Sequence, residues 1–262
     1  MKSKIRPPGS QSGRTCGHLR KVRLDVLLVE RGFAPSRQRA QAMLLAGQVS
    51  VNGQRQNKAG SQTAADARIE ISGEMLRYSS RGGLKLEGAL DDFRVTPQDR
   101  VCLDVGSSTG GFTDCLLQRG ARKVYAVDVT VNQLDWKLRH DARVVALERN
   151  ARYLQPEDLG ELVDFVTIDV SFISVTKILP AIAPLATSGA HFMILVKPQF
   201  ELDRREVGKG GIVRHESLHQ KAIERVVAAA VQSGLEVTGV RASRLPGAEG
   251  NQEFFLHAYR RD

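Results

Sequence analysis

Four charged residues are spaced so that a parallel sheet would bring them to one edge. Asp169 follows the apolar stretch "FVTI", Lys197 follows "HFMILV", Glu253 lies at the last strand candidate, and Lys85 precedes the first. Together they would form a compact network of two cations and two anions. Because a buried ammonium group is costly unless it is paired, a lysine that ends an apolar strand indicates a chemical role. An ordinary network of salt bridges is the alternative.

The stretch "LDVGSSTGGFTD", residues 103–114, is an apolar strand end followed by a glycine-rich turn and the start of a helix. Such a turn presents backbone N–H groups to a ligand at the carboxyl edge of an open α/β sheet. Its glycine spacing does not match the G-x-G-x-x-G pattern of nicotinamide-binding proteins. Asp104 would repel a pyrophosphate but attract the ammonium group of S-adenosylmethionine (SAM), so SAM is the favoured cofactor. Asp128 ends the next strand, where it could accept hydrogen bonds from both ribose hydroxyls or simply cap a helix.

Two kinds of methyl acceptor are disfavoured by the residues at the strand ends. Enzymes that methylate exocyclic amines carry an Asn/Asp-Pro-Pro-aromatic segment after the fourth strand, where this chain reads "DVSF". Methylation of pyrimidine carbons uses a nucleophilic cysteine near a strand end. Cys102 falls inside the first strand and Cys115 in the following helix, so both are predicted to be core residues.

Strand and helix patterns alternate through the C-terminal two thirds of the chain. The predicted strands lie near residues 101–105, 123–128, 143–147, 164–169 and 191–196. This alternation predicts an α/β fold, with a parallel sheet covered by helices on both faces. Two further candidates, 235–241 and 252–259, have no helix between them and are predicted to form an antiparallel edge pair. A parallel sheet that ends in such a pair is typical of class I, Rossmann-like methyltransferases.

Positive charge is concentrated in the N-terminal third of the chain. The formal net charge is +9, and residues 1–84 carry 15 lysines and arginines against 5 acidic residues, whereas residues 85–262 carry 23 against 24. An acidic partner such as nucleic acid is therefore expected. This region also shows two short helix patterns, the second with Ser36 as its N-cap, and a hairpin signal at Asn52-Gly53.

The segment "RLDVLLVERGFAPSRQRAQAMLLAGQVSVNG" resembles the S4-like RNA-binding domain, a small α+β module. A solvated basic face without an RNA partner is the alternative. The residues expected to contact RNA are Arg23, Arg37, Arg39, Lys58 and Arg81.

The charged network at the sheet edge resembles the Lys-Asp-Lys-Glu tetrad of FtsJ-like ribose 2′-O-methyltransferases. Segments such as "SRGGLKLEGAL", "DVGSSTGGFTDCLLQRGA", "FVTIDVSFIS", "LVKPQFE" and "GNQEFFLH" occur in the order found in the TlyA family, often labelled haemolysin A. This resemblance implies SAM-dependent 2′-O-methylation of cytidine in 16S or 23S ribosomal RNA. It assigns the catalytic tetrad to Lys85, Asp169, Lys197 and Glu253, with Lys197 as the candidate base.

The glycine-rich turn and the resemblance together predict where the cofactor binds. The expected SAM contacts are Asp104, Gly106, Ser107, Ser108, Thr109, Gly110, Gly111, Asp128, Val129, Asn150 and Asp169. No metal site is expected, because the three cysteines have neither paired spacing nor a nearby histidine pattern.

The expected organisation is a disordered basic N-terminus over residues 1–21, an S4-like domain over 22–78, a Ser/Gly linker over 79–84 and a methyltransferase domain over 85–262. The first 21 residues lack the apolar core of a secretory signal. The longest apolar run, 192–196, is far shorter than the roughly 20 residues of a membrane span. We therefore expect a cytoplasmic protein without stable membrane insertion.

Three functions are compatible with these patterns. The first is an RNA 2′-O-methyltransferase, the second an RNA-binding protein with an inactive methyltransferase fold, and the third a membrane-acting haemolysin. The presence of all four tetrad residues favours the enzyme.

Overall fold

The computed structural model describes residues 20–34, 37–45, 47–72, 77–247 and 250–261. The chain divides into two compact units, Met1–Gly73 and Glu74–Asp262. Cys16, the expected N-cap Ser36 and most of the N-terminal segment predicted to be disordered lie outside the described residues.

The first unit consists of short elements around a small apolar core. Its strands and helices are β1 (Lys21–Arg23), α1 (Leu24–Glu30), α2 (Arg37–Leu45), β2 (Val49–Val51), β3 (Gln54–Gln56), β4 (Gln62–Ala64) and β5 (Ile69–Ile71). β2 lies between β3 and β5 in an antiparallel sheet, while β1 pairs with β4. Asn52 and Gly53 both have positive φ, as the predicted hairpin turn requires. Leu24, Leu28 and Leu44 are fully buried between the helices and the sheet.

The second unit is built on a seven-stranded sheet. Its strands are β6 (Val101–Val105), β7 (Lys123–Asp128), β8 (Val144–Glu148), β9 (Val163–Ile168), β10 (Ala186–Val196), β11 (Leu235–Ala242) and β12 (Phe254–Arg260). Its α-helices are α3 (Arg81–Phe93), α4 (Gly111–Gln118), α5 (Trp136–Arg139), α6 (Pro156–Leu159), α7 (Leu179–Ile182), α8 (Pro198–Glu201) and α9 (Glu216–Gln232).

The order of strands in this sheet is β11-β12-β10-β9-β6-β7-β8. The five strands β6 to β10 are parallel, and β12 is antiparallel to both β10 and β11, so the predicted antiparallel edge pair is confirmed. One face packs against α7 and α9, and the other against α3, α4 and α5. Cys102 and Cys115 are buried in the second of these cores, as predicted.

The expected linker over residues 79–84 is wrong, because α3 already begins at Arg81. Ser80 caps this helix by accepting a hydrogen bond from the Gly82 N–H, which replaces a missing helical partner. A Cβ on Gly83 would collide with the Tyr78 ring, and one on Gly111 would collide with Ser80. The glycines in this segment therefore allow close packing of α3 against its neighbours.

A buried histidine, His257, and a partly buried one, His191, form a polar pair in the antiparallel part of the sheet. His257 Nε2 lies 2.9 Å from His191 Nδ1, and His257 Nδ1 lies 2.6 Å from Thr238 Oγ1. Burial, with a smaller contribution from His191, lowers the pKa of His257 to about 4. Burial also lowers the pKa of His191, with Arg100 contributing in the same direction. Both rings are therefore held in their neutral form at neutral pH.

We expect this pair to make the fold sensitive to acid. Between pH 6.5 and 4 the unfolded chain binds a proton at position 257 that the folded chain excludes, so stability falls as pH decreases. Replacing His257 by Gln removes this contribution to the pH dependence of the unfolding free energy. From pH 7 to 5, the difference in unfolding free energy between wild type and H257Q should shrink by about 1–2 kcal/mol in denaturant titrations. A difference that stays constant with pH would show that His257 does not titrate as described.

Candidate active site

The backbone of the glycine-rich turn between β6 and α4 lies directly against the end of β9. Gly106 has a φ of +86°, and its N–H and that of Ser107 donate to the Val127 carbonyl oxygen. A Cβ on Gly106 would collide with the backbone carbonyl of Asp169. Glycine at this position therefore brings the turn directly against the strand end that carries Asp169.

Two neighbouring cavities of about 230 and 370 Å³ open at the carboxyl edge of the parallel strands. The smaller is bordered by Arg81 and Lys85 of α3 and by the turn residues Ser107 and Thr109. The larger is bordered by the ends of β7 and β9 and by Asn150. The two share Gly106, Ser108 and Asp169. Such a shape suits an elongated ligand that lies across the strand ends.

The four predicted tetrad residues form two ion pairs at this edge. Lys85 Nζ lies 2.6 Å from Glu253 Oε2, and Lys197 Nζ lies 2.6 Å from Asp169 Oδ1. Both lysine side chains are only 12% exposed, and that of Glu253 is 3% exposed. Because these charges are largely removed from water, each lysine depends on its carboxylate partner.

Asp104 does not occupy the position expected for a cofactor contact. It is fully buried in β6, where its carboxylate accepts hydrogen bonds from Thr113 Oγ1 at 2.6 Å and from Thr167 Oγ1 at 2.9 Å. It borders neither cavity. Burial raises its pKa to about 6, against the opposite effect of the two threonines. Asp104 therefore joins α4 and β9 beneath the turn, and the expectation that it faces the ammonium group of SAM is wrong.

Most other predicted cofactor residues do border the cavities. Asp128 Oδ2 accepts the Ser108 N–H at 2.9 Å, and Oδ1 accepts the Thr130 N–H at 3.1 Å, so its carboxylate is fixed in place. The residues of the prediction that line a cavity are Gly106, Ser107, Ser108, Thr109, Gly111, Asp128, Val129, Asn150 and Asp169. Gly110 lines neither and instead caps α4, where a Cβ would collide with Leu138.

Three further residues near the tetrad were not predicted as site residues: two lie between β9 and α7, and one ends α8. Ser171 Oγ accepts a hydrogen bond from Lys197 Nζ at 2.9 Å. Phe172 has a φ of +65° and is 93% exposed at the rim of the larger cavity. Glu201, buried at the end of α8, accepts the Val175 N–H at 2.8 Å and a hydrogen bond from Ser174. Their only sequence signal was their position next to Asp169 and Lys197.

Two of the arginines expected to contact RNA are held by a buried carboxylate. Asp25 is fully buried and accepts hydrogen bonds at 3.0 Å from Arg23, Arg37 and Gln41. The guanidinium of Arg23 is the largest cause of the lowered pKa of Asp25. Both arginine side chains remain about half exposed. They can therefore both stabilise the first unit and present N–H groups to an acidic partner.

The remaining predicted RNA contacts are distributed between the two units. Lys58 is exposed on the first unit, and Arg81 is exposed on the second, at the border of the smaller cavity. The side chain of Arg39 lies outside the described residues. Across the part of the chain that the structure covers, no group of three or more His, Cys, Asp and Glu side chains is arranged for a metal ion. No helix in that same part is long and apolar enough to cross a bilayer.

Comparison with known proteins places both units in families. The FtsJ-like methyltransferase model matches residues 78–260, and the S4 domain model matches residues 22–68. The YqxC protein of Bacillus subtilis is 49% identical over 92% of this chain and 86% of its own length. A 16S/23S rRNA (cytidine-2′-O)-methyltransferase of Mycobacterium tuberculosis, TlyA, is 45% identical over 90% of this chain and 89% of its own.

A solved structure agrees with these sequence relationships. A hemolysin-like protein from Streptococcus thermophilus superimposes with a TM-score of 0.73 at 46% identity, covering 93% of this chain and 90% of the other. The residues matched by the family model include all four tetrad positions and the glycine-rich turn. The chain therefore belongs to the FtsJ-like methyltransferase family, carries an S4 domain, and has TlyA among its relatives.

Proposed function

We propose that this protein transfers a methyl group from SAM to the 2′-hydroxyl of a cytidine ribose in 16S or 23S ribosomal RNA. The observation that carries this proposal is the pair of buried lysine-carboxylate contacts beside the glycine-rich turn. A ribose hydroxyl is a weak nucleophile, so the reaction needs a group that can take its proton close to the methyl donor. The TlyA relative, a 16S/23S rRNA (cytidine-2′-O)-methyltransferase, supports the same substrate.

The cavities fit SAM by size, shape and donor set. Asp128 would bind the ribose hydroxyls of the cofactor, with Val129 and Asn150 beside its adenine. The methionine part would lie against the turn residues Gly106, Ser107, Ser108, Thr109 and Gly111. Ser107 Oγ is buried and has no hydrogen-bond partner among the described residues, as expected of a group that meets a polar ligand. When bound, SAM supplies an electrophilic methyl group on a positively charged sulfur.

In the proposed reaction Lys197 first releases the proton of its resting ion pair to solvent and then acts as the base. Its amine takes the proton of the 2′-hydroxyl while the ribose oxygen forms a bond to the methyl carbon. The carbon-sulfur bond breaks and its electron pair stays on sulfur, which leaves a neutral thioether. Asp169 balances the charge that Lys197 gains, and the Lys85-Glu253 pair orients the ribose from the other side of the smaller cavity.

We assign RNA binding to the basic residues of the S4 domain and to exposed side chains near the tetrad. Arg23, Arg37, Arg39 and Lys58 of the S4 domain would contact phosphates, which gives affinity without reading the base sequence. Near the tetrad, Arg81 would hold a phosphate of the target strand, and the exposed ring of Phe172 offers a stacking surface for a base. A protein that acts on ribosomal RNA in this way would work in the cytoplasm.

The direct test is methyl transfer from labelled SAM into separated ribosomal subunits that lack ribose methylation. We expect label in dinucleotides that resist alkaline hydrolysis, because a 2′-O-methyl group prevents cleavage at the neighbouring phosphate. Label only in mononucleotides would identify a base as the acceptor. Binding of RNA and SAM without any transfer would support an inactive RNA-binding protein. Lysis of erythrocytes without transfer would support a membrane-acting haemolysin.

Replacing Lys197 by Ala should leave SAM binding intact and slow methyl transfer by a factor of at least about 10². SAM affinity is measured by calorimetry and transfer by label incorporation under single-turnover conditions. Lys221, which pairs with Glu206 on the surface, provides a matched control, and K221A should retain the wild-type rate. Normal turnover by K197A would remove this lysine from the mechanism.

Replacing Lys58 by Ala should weaken RNA binding several-fold and reduce the salt dependence of log Kd by a slope of about 1, because one phosphate contact is lost. Filter binding at several salt concentrations measures both quantities. Arg68 is already paired with Glu70, so R68A should have a smaller effect than K58A. Equal affinity and equal slope for K58A and wild type would place Lys58 outside the RNA contact surface.

A further inference from the structure

Two different residues contact the amine of Lys197. One balances its positive charge, and the other accepts an aligned hydrogen bond from it. Its Nζ lies 2.6 Å from Asp169 Oδ1, yet Oδ1 has no aligned hydrogen-bond partner among the described residues. The contact between Lys197 and Asp169 is therefore an ion pair whose geometry does not align a hydrogen bond. The aligned hydrogen bond of Nζ runs to Ser171 Oγ at 2.9 Å. Hydrogen bonds are directional, whereas attraction between charges is not, so Ser171 is the group that orients the amine.

Hydrogen bonds hold the backbone on both sides of Ser171 at the carboxyl edge of the sheet. On one side, the Asp169 N–H donates to the Val105 carbonyl oxygen at 2.9 Å. On the other, the Val175 N–H donates to the buried carboxylate of Glu201 at 2.8 Å. Glu201 ends the helix that begins directly after Lys197. The partner hydroxyl and the lysine are therefore held by one connected set of contacts, although Ser171 itself is exposed.

We propose that Ser171 is a positioning residue for methyl transfer, one that aims the amine of Lys197 at the 2′-hydroxyl. The inference rests on the proposed function. A tetrahedral amine that donates one N–H to Ser171 has lost most of its freedom to rotate about the bond to Cε. In its neutral form the lone pair then keeps a defined direction and can meet the hydroxyl proton. Ser171 neither gains nor loses a proton in this step, and the proton ends on Lys197.

The test compares S171A, S171T and the surface control S217A in the full-length protein. Ser217 is exposed in the first turn of α9. We expect S171A to lower kcat about tenfold, with KM for SAM and for unmethylated ribosomal subunits within a factor of two of wild type. S171T keeps a hydroxyl and should recover most of the rate. Melting temperatures of all variants should match wild type because Ser171 and Ser217 are exposed. SAM affinities should also match, because Asp128, Val129 and the turn residues proposed to hold the cofactor are unchanged.

Each alternative result has a defined meaning. An S171A variant with wild-type kcat would overturn the inference, and so would a raised KM for RNA at unchanged kcat, which would make Ser171 an RNA contact. Failure of S171T to recover activity would also overturn it, because the hydroxyl would then not be the group that matters. If wild type itself forms no 2′-O-methyl product while binding SAM, the proposed function fails first, independently of the variants.

Discussion

The arrangement of the candidate active site at the carboxyl edge of the parallel strands depends on the contact between the turn at Gly106 and the backbone of Asp169. No side chain larger than hydrogen fits there, and the turn also requires a positive φ that other residues adopt only with strain. As a result, the glycine-rich turn and two of the four tetrad residues, Lys85 and Asp169, border the two cavities. A cofactor bound along the turn would place its reacting group beside Asp169 without any large movement of the chain.

Three carboxylates near this contact differ in role because their neighbours differ. Asp169 faces Lys197, Glu253 faces Lys85, and Asp104 accepts hydrogen bonds from two threonine hydroxyls in the interior. The first two balance a lysine charge close to the cavities. Asp104 instead has a raised pKa and links the turn's helix to β9, so it acts as a structural connection. Two of these carboxylates thus balance the charge of a lysine, whereas the third holds a helix and a strand together.

In the S4 domain, a buried carboxylate stabilises the fold and also holds two of the arginines that are expected to contact RNA. Asp25 is buried at the start of α1, and its charge is stable there because Arg23 and Arg37 both bond to it. Those arginines are in turn held with part of their guanidinium groups exposed. In the proposed function these arginines would contact phosphates, which gives affinity but little base specificity. Selection of one nucleotide would then depend on how well a ribose and base fit beside the larger cavity, which Ser171 and Phe172 border.

Much of this protein could be predicted from sequence because the determining signals are local. Apolar runs and their alternation with helices located the central strands β6, β7 and β9 to within a residue, and Asn52-Gly53 located the hairpin. Residues that directly follow parallel strands meet at one edge, which is why Asp169 and Lys197 were predicted to lie in one network; the structure shows that they form an ion pair. Family resemblance supplied the reaction that this pair would perform.

Other features were decided only by tertiary structure. Whether Asp104 faces the cofactor or the core depends on Thr167, which is 63 residues away in sequence and lies on an adjacent strand. The start of α3 within a Ser/Gly-rich segment depends on packing against Tyr78 and Gly111. Sequence patterns bring the ends of β9 and β10 together, but that Ser171 accepts the hydrogen bond of Lys197 depends on the conformation of the segment after β9. Sequence periodicity determines which segments form strands, but the partners of a polar side chain are set by which strands become neighbours.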